Sequence, residues 1–360
     1  MSGAKNMEER HFFRKLTLLG RQKGIRVLVF TPEDIDEKNK RMYAHQYDPA
    51  RKRWVRKWSA IPPVVYDRCR YEPTERYRRF RNFRDTYEDA LFLNHPIPDK
   101  WNVLKLLAQN NAIRPHIPET WVYVEHRDLY EFLKKRTLVY LKPINGTGGR
   151  GILRLKRQRS GLFLIEGRDR RRRIIRPQIV PARLIPAKMS DWNLKNNYLI
   201  QRGIPSVLPD GRVFDFRLLI QKNGDGQWEV TGCAGRIGIA RSITSNLHGG
   251  GEAAPMNALL KARFESDSLV ESIRDKMFEL AHEVAETLER HAGPLCELGL
   301  DIAVDPDGRP WLLELNPKPA REVFRRIGER ETYMKAIGRP LEYALWLYRQ
   351  KQPELSAAMR

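Results

Sequence analysis

The stretch ELGLDIAVDPDGRPWLLELNP, residues 297–317, reads as two strands joined by a tight turn at Pro306-Asp307-Gly308. In such a hairpin Asp301 and Glu314 lie near the same level of the ladder, and the period-two alternation puts Glu314 and Asn316 on one face. Three oxygen-bearing side chains then converge. Hard divalent cations such as magnesium take oxygen ligands and share them with phosphates, so a carboxylate pair plus an amide carbonyl is a donor set for a cation held between protein and nucleotide. A purely structural role suits these residues poorly, because two carboxylates on a buried sheet face repel each other and lose solvation unless that face opens to water.

Upstream, LVYLKPINGTGGRGILRLKR (138–157) reads as a strand, a glycine-rich loop and a returning strand. Backbone in the 145–151 loop can approach phosphate closely and turn several N–H groups toward it, while Lys142 on the preceding strand supplies a point charge. Taken alone, a glycine-rich hairpin reads equally well as a flexible turn. It is neither a Walker A loop, since no GK[ST] follows, nor a dinucleotide fingerprint, since a strand rather than a helix follows.

Working outward, GIRVLVFTPEDI (24–35) predicts a buried strand over residues 25–30 that turns at Thr31-Pro32 into an acidic helix start. WVRKWSAIPPVVYDRC (54–69) predicts a short hairpin and then a strand at 64–66. Asp99 caps a predicted helix with Trp101, Leu104, Leu107 and Ala108 on one face. NYLIQRGI, VFDFRLLIQ and WEVTGCAGRIGI read as strands, residues 268–293 as a long amphipathic helix ended by Gly293-Pro294, and about 321–351 as closing helices.

At 360 residues the chain exceeds what one hydrophobic core usually serves, so two or three packed subdomains are expected. No stretch is long and apolar enough to span a bilayer, and the basic N-terminus lacks the apolar core and cleavage site of a secretory signal. Cys69, Cys233 and Cys296 are scattered without a CxxC pair and read as reduced thiols of a soluble cytosolic protein. Lys plus Arg number 66 against 44 Asp plus Glu, a formal charge of +22. One basic concentration runs from Arg51 to Arg84 with Trp54, Trp58, Tyr66, Tyr71, Tyr77, Phe80 and Phe83 interleaved; another is RDRRRRIIR, 168–176. Charge with aromatic stacking suits nucleic acid, but no nucleic-acid module accompanies it, and a solvated basic face or a dock for an acidic polymer ranks ahead.

Lys142-Pro143 before a glycine-rich hairpin, Asp99-Lys100 opening a helix, and the terminal ELGLD…LLELN pair together resemble the ATP-grasp superfamily. More closely, VVYDR (64–68), LKPINGTGGRGI (141–152), FDFRLLIQ (214–221), GRIGIARSITSNLHGGG (235–251) and LLELNPKP (312–319) resemble the YheC/YheD group, known as endospore coat-associated proteins, over nearly the whole chain. The resemblance implies an α+β or α/β fold of ATP-grasp type. It implies a small α/β N-terminal (pre-ATP-grasp) domain over 1–95 and an ATP-grasp domain over 96–335. Two subdomains of the latter are expected to sandwich ATP: a mobile glycine-loop part at about 136–200 and a metal-binding part at about 201–335. A C-terminal helix at 336–360 completes the chain.

The resemblance also implies ATP and magnesium as cofactors, with two ions and manganese as the alternative metal. Lys100 and Lys142 match the lysines that hold the nucleotide phosphates, and Gly146, Thr147, Gly148, Gly149 and Gly151 match the mobile loop that folds over them. Gln201, Arg202 and Ile204 match the segment lining the adenine, where the family usually carries an acidic residue and this chain has Gln201-Arg202. Asp215 and Arg217 join the nucleotide-binding set. Asp301, Glu314 and Asn316 match the magnesium ligands, and Arg236, Arg241 and Asn246 match the positions that hold the acyl phosphate and the carboxylate substrate.

The function so implied is ATP-dependent ligation of a carboxylate to an amine or similar nucleophile in the bacterial cytoplasm or at the spore coat, on small substrates or on an acidic spore or cell-envelope polymer or peptide. The alternative is a spore-coat assembly protein that binds ATP with little turnover, against which the retained carboxylates argue. A nucleic-acid module stands third. His248 beside three glycines reads more as a solvated loop side chain than as one that orients a substrate. Tyr66, Asp67 and Arg68 end a strand of the N-terminal domain, where acceptor substrates often bind in such ligases, although a strand-end ion pair explains them nearly as well.

Overall fold

Alternation along Phe214–Lys222 sorts the central sheet into a core face and a polar face. Phe214, Phe216, Leu218 and Ile220 point one way and are buried, while Asp215, Arg217, Leu219 and Gln221 point the other. The computed structural model describes residues 7–69, 74–146, 148–240 and 242–358. It places this strand between Trp228–Ile237 and Glu297–Val304, with Glu252–Pro255 and Pro310–Asn316 at the edges, all antiparallel. The helix Asp267–Ala292 lies across the core face, where Ile273, Met277 and Val284 pack with Leu298, Leu300 and Ile302. Ser266 caps it by accepting from the Leu269 N–H, and Gly293 at φ 84° ends it.

A second antiparallel sheet has the spatial order Gln178–Val180, Phe163–Arg168, Ile152–Arg157, Leu138–Pro143, Tyr198–Arg202 and Thr120–Val122. Val139, Leu141 and Ile200 bury against Leu129, Phe132 and Leu133 of the helix His126–Lys135. The same alternation turns Tyr140, Lys142 and Gln201 to the opposite face, toward the polar face of the first sheet.

The N-terminal helix Arg10–Gln22 packs on the closing helix Arg330–Ala358, with Phe12 and Leu16 against Tyr333, Ile337 and Leu341. This layer covers one end of the polar face, where Leu219 and Ala234 join its core. The other end of that face stays open. Residues 25–30, expected as a buried strand, are extended chain with a single bridge from Val29 to His45; Ile25 and Val27 instead pack against the helical layer, which meets their apolar demand without a sheet. WVRKWSA is the second strand of a longer hairpin, Arg41–Asp48 with Arg53–Ala60, and its partner RMYAHQYD carries no regular alternation that would reveal it. Asp99 caps Lys100–Leu107 as expected, accepting from the N–H groups of Trp101 and Asn102 at 2.9 and 3.0 Å, although Val103 rather than Trp101 joins Leu104 and Leu107 in the core.

Several aromatic rings of the basic concentration at 51–84 are engaged within the fold, while Trp58 is half exposed. Phe80 and Phe83 are core residues, and Arg41 and Arg56 lie over Trp58 and Tyr43 of their own hairpin, 4.1 and 4.3 Å from the ring centroids. Tyr71 falls outside the described residues.

Glu297, fully buried at the covered end, holds the N-terminal segment to the sheet. Its carboxylate accepts from Tyr66, Arg68, Arg321 and Gln221, with Arg68 Nη1 at 3.2 Å and Gln221 Nε2 at 3.0 Å. Truncation would leave the buried Arg321 guanidinium without its carboxylate, while Arg68 keeps Glu9, and removing one partner of such a buried network costs about 3–5 kcal/mol. Glu297→Ala should therefore lose stability on that scale in urea denaturation, and a loss below about 1 kcal/mol, the level of a surface pair, would show that the network does not hold the two parts together.

Candidate active site

The open end of the polar face is built by cross-strand register. Asp301 pairs with Glu314 on one side and with Arg217 on the other, Asp215 pairs with Arg236, and Gly299 pairs with Asn316. Paired residues in an antiparallel sheet point to the same side, so all six polar side chains share one face. The ladder shifts between Asp301 and Ile302, where Leu313 is the extra residue of a bulge. Leu313 joins Ile204, Ala303 and Trp311 in a small apolar cluster, which gives the cleft one greasy wall.

Asp301 is the electrostatic centre. Arg217 grips it with Nε at 2.6 Å and Nη2 at 3.1 Å, and Arg236 Nη2 stands 3.0 Å from Oδ2. Burial alone would raise its carboxyl, but the two arginines outweigh that and hold it below the ordinary carboxylate range. Arg236 is itself clamped by Asp215 through two bonds of 2.7 Å, so its plane is fixed. Glu314, half-buried, faces Lys100 at 3.3 Å.

Across the cleft, Lys142 donates to Gln201 Oε1 at 2.6 Å, and Gln201 in turn donates to Thr120 Oγ1 at 3.0 Å. Burial pushes the Lys142 amine down to about 8, against the opposing charge of Glu314, while Lys100 pushes the same way as burial. Lys100 also donates to the Gly146 carbonyl and so ties the first helix of the cleft to the glycine loop. Gly148 and Gly149 adopt φ of 65° and 74°, a region that side chains disfavour, and a methyl on Gly149 would stand 2.7 Å from Asn246 Nδ2. The loop therefore packs closely against Asn246 of the 244–246 segment.

The predicted residues Lys100, Lys142, Gln201, Asp215, Arg217, Arg236, Asn246, Asp301 and Glu314 thus meet around one cleft. Arg202 lines it too but lies over the Trp311 ring, 4.9 Å from the centroid. Thr147 and Arg241 fall outside the described residues. Sequence reasoning missed Tyr140, whose hydroxyl donates to the Ile243 carbonyl at 3.2 Å, although its place two residues before Lys142 puts both on one face. It also took the 168–176 arginines as one outward patch. Arg168 is in fact buried and donates to the Gly249 carbonyl at 3.1 Å.

The donor set fits a cation shared with phosphate. Among the described residues no three His, Cys, Asp or Glu side chains gather to hold a metal ion, so two carboxylates and an amide would need phosphate and water to complete a shell. Asn316 Nδ2 is buried without a partner, and since amide oxygen and nitrogen exchange places on a half-turn, that buried position equally presents the carbonyl oxygen.

A profile of the family described as YheC/D like ATP-grasp matches residues 89–347. The chain belongs to this family. The endospore coat-associated protein YheC of Bacillus subtilis (strain 168) is 31% identical over 316 residues, covering 86% of this chain and 84% of the relative. YheD of the same organism is 27% identical over 340 residues, covering 93% and 74%. Among solved structures, D-cycloserine synthetase DcsG overlays with a TM-score of 0.55 at 16% identity, covering 94% of this chain and 98% of that one. The ATP-grasp ligase PsnB, complexed with a minimal precursor, overlays with a TM-score of 0.51 at 13% identity, covering 95% and 97%. These overlays establish the ATP-grasp fold. No helix among the described residues is long and apolar enough to cross a membrane.

In this ATP-grasp chain the lowered Lys142 value has a sign that can be checked. Glu314 raises it and burial lowers it, so Glu314→Gln should move the Lys142 midpoint further below about 8. Side-chain NMR titration of 13C-methylated lysines reads this directly; a Lys142 midpoint near that of a free lysine, or an upward move in the variant, would contradict the arrangement.

Proposed function

We propose that this chain is a magnesium- and ATP-dependent ligase that activates a carboxylate as an acyl phosphate for capture by an amine or similar nucleophile. The reading rests chiefly on one observation: Asp301 and Glu314 meet Lys100 and Lys142 in a single cleft. Membership of the ATP-grasp family supports it. So do the fold neighbours, one named as a synthetase and another a ligase also captured with Mg, ADP and a phosphomimetic variant of its precursor.

In this reaction an oxygen of the substrate carboxylate forms a bond to the γ-phosphorus while the bond from that phosphorus to the bridging oxygen breaks, and ADP leaves with the electron pair. The nucleophile's lone pair then attacks the acyl carbon, inorganic phosphate departs with the C–O bonding pair, and the amine proton passes to solvent. No covalent enzyme intermediate is needed, so the residues' work is alignment and charge neutralisation. Asp301, Glu314 and Asn316 would hold two magnesium ions, or manganese in their place, which supply positive charge beside the phosphates. Lys100, Lys142 and the loop from Gly146 through Thr147, Gly148 and Gly149 to Gly151 would hold the phosphates. Gln201, Arg202 and Ile204 would line the base, and Asp215 and Arg217 would set the cations and carboxylates around it. Arg236, with its plane fixed by Asp215, would hold the acyl phosphate and carboxylate together with Arg241 and Asn246. The part at about 136–200 would close over a nucleotide resting on 201–335, with residues 1–95 presenting the acceptor and 336–360 closing the chain.

Charge favours an acidic acceptor, a spore or cell-envelope polymer or peptide, since the chain carries a formal +22. Turnover on such a substrate should fall steeply as salt rises from low ionic strength, and a flat profile speaks against an acidic acceptor. The names of the two relatives favour a second reading, a spore-coat assembly protein with little turnover. A screen of acids against amines for ADP release separates the two. Some pair should stimulate release in the intact protein and not in Glu314→Gln, whereas a variant that releases ADP normally, or one whose only defect is misplacement at the spore, would remove the ligase reading.

A further inference from the structure

The turn that follows the strand Phe163–Arg168 is organised by one carboxylate. Asp169 Oδ1 accepts from the backbone N–H groups of Arg171 and Arg173 at 2.8 and 2.9 Å, and Oδ2 takes Arg173 Nε at 2.7 Å. The Asp169 carbonyl accepts from Arg172 N–H at 2.9 Å and from Gly151 N–H at 3.1 Å. The last bond fastens this turn to the end of the glycine loop.

Arg172 stands at φ 66°, a left-handed conformation that residues with side chains adopt only at a cost. Its guanidinium lies over the loop, where a methyl on Gly148 would stand 2.6 Å from Nη2. Its Nε–H is buried with no acceptor. A buried donor on a charged group is expensive to leave unanswered, and this one lies beside backbone suited to phosphate. Arg168, from the same turn, crosses to the 247–249 turn and donates to the Gly249 carbonyl. Lys142, by contrast, sits inside the cleft on the strand before the loop. Arg172 covers the loop's tip, next to where Gly149 abuts Asn246. Asn246 is one of the residues assigned to the acyl phosphate.

We infer that Arg172 is a ligand of the terminal phosphate of the bound nucleoside triphosphate. This rests on the Mg-ATP reading above. It gives the site a means of distinguishing ATP from ADP, because the waiting donor is answered only when the third phosphate is present.

Calorimetric titration of the full chain with the magnesium complexes of ADP and of a non-hydrolysable ATP analogue tests it. Arg172→Gly suits the left-handed backbone and should fold. It should weaken the triphosphate by about ten- to a hundredfold, the range for a lost charge-assisted hydrogen bond, and leave ADP within about twofold. Arg172→Lys, which keeps the charge without the planar fork, should fall between and serves should the glycine variant unfold. Arg171→Ala, which removes the same charge from an exposed neighbour, should leave both nucleotides unchanged. Equal weakening of both nucleotides in the Arg172 variants, or none, overturns the inference alone. Failure of the unaltered protein to bind either nucleotide overturns the Mg-ATP reading and this inference with it.

Discussion

Two carboxylates share one rung of a ladder, and the surrounding charges are arranged around that fact. Directly paired strand positions stand ~5 Å apart, and at an effective dielectric of about 20 two like charges at that distance repel by about 3 kcal/mol. Asp301 and Glu314 tolerate this because Arg217 and Arg236 hold the first and Lys100 faces the second. Asp215 then balances Arg236. The cluster is thus self-consistent before any ligand arrives, and its weakest link is the single lysine on Glu314. In the proposed site Glu314 would hold a divalent cation in place of that lysine, and Lys100 would then be available to phosphate.

The same strands that carry the site carry the core. In VFDFRLLIQ every second residue enters the hydrophobic layer beneath the long helix, and the residues between supply Asp215, Arg217 and Gln221. One end of the polar face is sealed by the N-terminal and closing helices and knotted at Glu297, while the other end stays open. Stability and chemistry are therefore separated along the strand rather than across domains. The glycine-loop sheet repeats the device, turning Val139 and Leu141 inward and Tyr140 and Lys142 toward the cleft.

Much of this is legible in the sequence where periodicity and turn chemistry coincide. The 297–317 hairpin declares its turn through Asp307-Gly308, but a regular ladder from that turn would set Asp301 opposite Leu313, and it is the bulge at Leu313 that brings Asp301 opposite Glu314. Asp99 and Gly293 mark helix ends by the side-chain and backbone chemistry of caps. Residues 25–30 mislead because an apolar run suits a helix-packed extended segment as well as a strand. Long-range partners have no local signal at all: nothing in RDRRRRIIR distinguishes Arg168 and Arg172, which turn inward, from Arg171 and Arg173, which do not. That distinction is made by Asp169 and by a left-handed backbone, and both emerge only once the turn is folded.

The most direct test is the metal dependence of nucleotide binding. ATP should bind the unaltered protein at one saturable site in the presence of magnesium, lose that binding when a chelator is added, and fail to bind a variant carrying both Asp301→Asn and Glu314→Gln. Binding that is indifferent to the chelator and to both substitutions, or no binding under any of these conditions, would contradict the account at its base.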